Sequence, residues 1–103
     1  MNSQDEKSPM DPLPTDPLEV TLYTRPGCHL CDEAKLQMAP LLAEFGARLR
    51  EVNIDADPKL RELYNLDVPV IFVADRKVAK HRVDPAQFRR QLVEARRRYG
   101  RRD

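Results

Sequence analysis

Hydrophobic and polar positions along the chain change period several times, and each change marks an element. Residues 19–24, "EVTLYT", alternate and are rich in β-branched and aromatic side chains, which predicts a strand. "RPG" then turns the chain. From Cys28 to Phe45 the apolar residues Ala34, Met38, Leu41, Leu42 and Phe45 recur at helical spacing and mark one buried face. Pro40 lies inside that helix, where it removes a backbone donor and is expected to introduce a kink. Gly46 is a natural stop. "RLREVNID" (48–55) predicts a second strand. Asp57 and Pro58 read as an N-cap and a first helical position for a short helix, "PKLRELYN", with Leu60, Leu63 and Tyr64 inward. "VPVIFVA" (68–74) is almost continuously apolar, as a strand covered on both faces should be. After a turn at "DRK", the more polar "KVAKHRV" (77–83) predicts a strand nearer an edge. Asp84, Pro85 and Gln87 form a capping-box-like start for the last helix. Phe88, Leu92, Ala95 and Tyr99 make its inner stripe.

The order is β-α-β-α-β-β-α. Its first three strands, joined by helices, suggest right-handed parallel crossovers, and the closing pair suggests a hairpin. The expectation is one α/β domain over 18–99, with a mixed four-stranded sheet and helices on both faces. Residues 1–17 hold four prolines and four acids and few groups able to pack, so they read as a disordered leader. Residues 100–103 are a basic tail.

Length and composition fit this plan. A chain of 103 residues with 41% hydrophobic content supports one core. A net charge of +1 gives no global field toward nucleic acid or acidic lipid. No stretch is apolar enough for a signal peptide or a membrane span, so the expected setting is the cytoplasm, without membrane partners. The expected state is a monomer.

The candidate chemistry lies in "YTRPGCHLCDEAK", which holds the only two cysteines, Cys28 and Cys31. Three readings are open. A structural metal site wants four ligands, and only His29 and His81 are available to complete one. A permanent staple closing so small a ring removes little entropy from the unfolded chain. A redox pair fits the placement best. Cys28 falls where strand gives way to helix, close to free N–H groups that favour a thiolate, the attacking species in disulfide exchange. Cys31, one turn further, can reach back to resolve a mixed disulfide. Arg25 and His29 can each favour the thiolate by bringing positive charge near it. Asp32 and Glu33 oppose that, and are also ordinary first-turn helix stabilisers.

Pro69 opens an interior strand although it has no N–H for the ladder. A trans bond is the commoner arrangement. The segment order favours a cis Val68–Pro69 bond, because it sets Val68 beside the strand that carries Cys28. The backbone groups of Val68 would then be left to pair with an extended thiol substrate.

"LYTRPGCHLC" together with "DVPVIFV" resembles the glutaredoxin-like members of the thioredoxin-fold superfamily, over about residues 19–99. The resemblance implies a thioredoxin-like fold and thiol–disulfide oxidoreductase activity on protein or small disulfides. Cys28 would attack, Cys31 would resolve, and Pro69 would be a cis proline facing them. It also implies that Arg25 helps to hold the glycyl carboxylate of glutathione and that the Val68 backbone pairs with its cysteinyl part. No bound cofactor or metal is implied; glutathione is a candidate co-substrate. Glutaredoxins usually follow the hairpin with a glycine pair and an acid that hold the γ-glutamyl end, and "KVAKHRVDP" has no glycine pair. Asp84 or Lys80 are the residues that could substitute there. The rival reading is a binding module for RNA or an acidic protein, carried by the arginines of "EARRRYGRRD".

Overall fold

A computed structural model describes residues 18–100, so the leader expected over 1–17 and most of the basic tail lie outside the described residues. Strand β1 (Glu19–Thr24) leads through a turn at Gly27, φ 76°, into α1 (His29–Phe45). Gly46 ends α1 in the left-handed conformation, φ 60°, with its N–H on the Ala43 carbonyl. Helix α1 continues through Pro40, which is exposed, so water can serve the carbonyl that the proline leaves without a donor. Strand β2 (Arg48–Asn53) and a 3₁₀ turn (Ile54–Ala56) precede the short helix α2 (Pro58–Tyr64), whose N-cap is Asp57. Strands β3 (Val70–Val73) and β4 (Arg76–Lys80) form a hairpin. Helix α3 (Pro85–Ala95), capped by Asp84, runs on into a wider turn at Arg96–Gly100.

The sheet order is β2-β1-β3-β4. Strand β2 is parallel to β1, but β3 runs antiparallel to it, with Tyr23 opposite Val70 and Val20 opposite Val73. This corrects the expectation of three parallel strands. The reason is the length of α2. Seven residues of helix span about 10 Å, too little to carry the chain back along the sheet. The chain therefore stays at the end where β2 finishes and enters β3 in reverse. Strand β4 is an edge strand, as expected, with a register shift between Ile71 and Phe72.

Alternation gives each face of the sheet its own cover. Val20, Leu22, Ile71 and Val73 face Ala34 and Met38 of α1 and Phe88, Leu92 and Ala95 of α3. Tyr23 and Phe72 point the other way. There Tyr23 meets Tyr64 of α2, with ring centroids 4.9 Å apart.

Two assignments to inner stripes are corrected. Leu63 is 64% exposed, because α2 is too short to bury more than one side. Tyr99 is half exposed, and its hydroxyl donates to Asp75 at 2.8 Å, which pins the last turn to the β3–β4 hairpin. The wider turn that follows Ala95 moves Tyr99 off the 3.6-residue stripe.

Candidate active site

Cys28 is the N-cap of α1. Its backbone is extended (φ −88°, ψ 105°), and its Sγ accepts the Cys31 N–H at 3.1 Å. That places the sulfur where the helix leaves its first N–H groups unpaired and where its dipole is positive. Cys31 sits one turn in, with Cα atoms 5.2 Å apart, and the two sulfurs are joined in a disulfide. Exposure separates them. Cys28 is partly open, whereas Cys31 is 1% exposed beneath the helix. An incoming group therefore meets Cys28 first. His29 is exposed at the first position of α1, with Asp32 and Glu33 also exposed beyond it.

Arg25 is occupied elsewhere. Its guanidinium makes a 2.8 Å ion pair with Asp55 and donates to the carbonyl and side-chain oxygens of Asn65 at 3.1 and 2.8 Å. It thereby ties the β1–α1 loop to the 3₁₀ turn and to the end of α2. The charge expected to favour a thiolate or a substrate carboxylate is therefore already paired with Asp55 in this structure. No local pattern marks this pairing, because the partners lie 30 and 40 residues away.

The Asp55 carboxyl is held below its ordinary value of 3.8, chiefly by the hydrogen bond from Arg25. Because the folded value is the lower one, the stabilisation is complete above the unfolded value. It is lost as pH falls through the folded one. Thermal unfolding between about pH 2 and pH 6 should show the consequence. Asp55→Asn is expected to be less stable than wild type at neutral pH and to lose less stability on acidification. An unchanged acid limb would contradict this assignment.

Val68 and Pro69 continue β3 toward the site, alongside the end of β1. The Val68–Pro69 bond is cis, and Pro69 is buried. The expectation that both backbone groups of Val68 are free is corrected for one of them. The Val68 N–H donates to the Tyr64 carbonyl at 3.2 Å, closing the turn after α2. The Val68 carbonyl has no protein partner among the described residues.

The two residues considered as substitutes for the γ-glutamyl contact have other partners. Asp84 accepts the Ala86 N–H as the cap of α3, and Lys80 is 3.8 Å from Asp67. Among the described residues, three arginines near the C-terminus are also engaged. Arg96 donates to the Phe45 carbonyl at the end of α1, while Arg97 and Arg98 pair with Glu94. Among the described residues, no cluster of metal-ligating side chains is present, and no helix is long and apolar enough to cross a membrane.

Known proteins resemble this chain in sequence and in fold. Residues 19–93 match the family model described as Glutaredoxin-like domain (DUF836). The chain belongs to this glutaredoxin-like family. A glutaredoxin-like protein of Dictyostelium discoideum is 32% identical over 73 residues, which is 65% of this chain and 68% of that protein. The solution structure of a Nitrosomonas europaea protein superposes with a TM-score of 0.63 at 29% identity, covering 92% of this chain and 96% of that one. An X. campestris protein solved by X-ray reaches 0.63 at 33% identity, over 73% of this chain and 96% of that one. Mitochondrial thioredoxin 3 of Saccharomyces cerevisiae, at 12% identity and a TM-score of 0.58, shares the thioredoxin fold. Within this glutaredoxin-like frame the paired cysteines are the chemically distinctive feature.

Proposed function

We propose that the protein is a thiol–disulfide oxidoreductase that reduces protein or low-molecular-weight disulfides. The observation that carries this is the asymmetry of the pair: a partly open Cys28 at the helix cap and a buried Cys31 within bonding reach. In the reduced protein, the Cys28 thiolate attacks one sulfur of a substrate disulfide. A Cys28–substrate disulfide forms, and the other substrate sulfur leaves as a thiolate that takes a proton from water. Cys31, after giving up its proton, attacks the Cys28 sulfur. This releases the second substrate thiol and forms the Cys28–Cys31 disulfide. Two electrons have moved from protein to substrate, and a thiol reductant returns them. The cytoplasm, where such reductants are abundant, is the setting that suits this cycle.

Glutathione is a poor partner in this reading. Arg25 is committed to Asp55 and Asn65, Asp84 caps α3, and the glycine pair is absent. One missing charge-assisted hydrogen bond lowers affinity by roughly 10- to 150-fold. Turnover of a glutathione mixed disulfide should therefore fall well below that of a glutaredoxin carrying the glycine pair, measured in parallel. Comparable turnover that collapses in Asp84→Ala without loss of folding would show that the glutathione site has been rebuilt from other residues.

A further inference from the structure

His81 is the centre of a tight reversal after β4. The Arg82 N–H donates to the Lys80 carbonyl at 2.8 Å, and His81 between them has φ 71°. A three-residue turn with a positive central φ is the rare, strained form of γ-turn. Glycine would adopt it without penalty. A histidine held in such a conformation directs attention to what its side chain does.

The ring and the backbone of His81 hold two carbonyls of one short segment. Nε2 lies 2.9 Å from the Leu66 carbonyl oxygen, and the backbone N–H donates to the Pro69 carbonyl at 2.8 Å. Donation to a carbonyl requires the proton on Nε2. The Asp67 carboxylate lies 3.9 Å from the same nitrogen and 3.8 Å from Lys80 Nζ. Both ends of the 66–69 segment are thus fixed by one residue. Between them sits Val68, whose N–H is already bound to Tyr64 and whose carbonyl has no protein partner among the described residues.

We propose that His81 is a positioning residue that clamps segment 66–69 and so holds the Val68 carbonyl ready for the backbone of a disulfide-bearing peptide. The proposal rests on the redox reading of Cys28 and Cys31. The strain in the His81 backbone is offset by the contact of its imidazole with the Leu66 carbonyl, which glycine could not make.

The test uses the full chain with His81→Gly and His81→Asn; both residues tolerate the left-handed backbone and both remove the imidazole. Amide hydrogen exchange at Asp67 and Val68 is expected to quicken about tenfold, the loss of roughly one net hydrogen bond. Exchange at Val20 and Leu22 in the core should not change. With a peptide disulfide as substrate, kcat/KM is expected to fall about tenfold, mainly through KM. Alkylation of reduced Cys28 by iodoacetamide needs no backbone docking and should stay within about twofold. Unchanged exchange at Asp67 and Val68 in both variants would overturn the clamp. Faster exchange with an unaltered KM would overturn its positioning role. If the wild-type protein reduces no peptide disulfide, the redox reading itself fails, and the exchange measurement still decides whether His81 clamps the segment.

Discussion

Replacing Cys28 with serine is expected to abolish disulfide reduction, by at least roughly a thousandfold. Replacing Cys31 is expected to stop the cycle halfway. The two losses differ in kind because the sulfurs differ in position. Cys28 Sγ is partly open at the head of α1 and accepts the Cys31 N–H. A serine hydroxyl there can still cap the helix, so Cys28→Ser should fold normally while lacking a sulfur nucleophile. In Cys31→Ser the attack proceeds, but no buried thiol remains to resolve the product. A mixed disulfide on Cys28 should therefore accumulate. Intact-mass measurement after incubation with a peptide disulfide distinguishes the two variants. Trapping by Cys28→Ser and not by Cys31→Ser would reverse the roles.

The second large effect is on stability. Phe88→Ala is expected to cost about 3–5 kcal/mol. Phe88 is 1% exposed and lies on α3 among Leu22, Met38, Ile71 and Leu92, where the main core is closed. Small domains hold only about 5–15 kcal/mol in total. At about 4–8 °C per kcal/mol, Tm should drop by more than about 10 °C. Leu63→Ala is the contrast. Its side chain is 64% exposed, so the change should stay within about 0.5 kcal/mol. Equal losses at the two positions would mean that the core does not lie where Phe88 places it. Differential scanning calorimetry measures both variants directly.

Local pattern carried most of the fold. The apolar spacing of Ala34, Met38, Phe88 and Leu92 identified the helix faces that are buried, and Asp57, Asp84 and Gly46 marked ends that the structure places within a residue or so. The cysteine spacing and its place between strand and helix were legible for the same reason. Direction in the sheet was not legible. It depended on how far seven residues of α2 can carry the chain, which apolar periodicity does not encode. Side-chain commitments were hidden too. Arg25 reads as a free cation until Asp55 and Asn65 are brought to it by folding. His81 reads as one more polar residue after an edge strand until its ring is seen against Leu66. Such contacts join residues whose separation along the chain leaves no periodic trace.

The most direct test of the redox assignment is the rate of alkylation of the reduced protein as a function of pH, with peptide mapping to identify the labelled sulfur. The helix cap favours a thiolate at Cys28. Cys28 should therefore label first, and its rate should rise at a pH below the free-cysteine range of about 8.5. Cys31, shielded beneath α1, should label slowly throughout. Preferential labelling of Cys31, or a Cys28 profile matching that of free cysteine, would contradict the account.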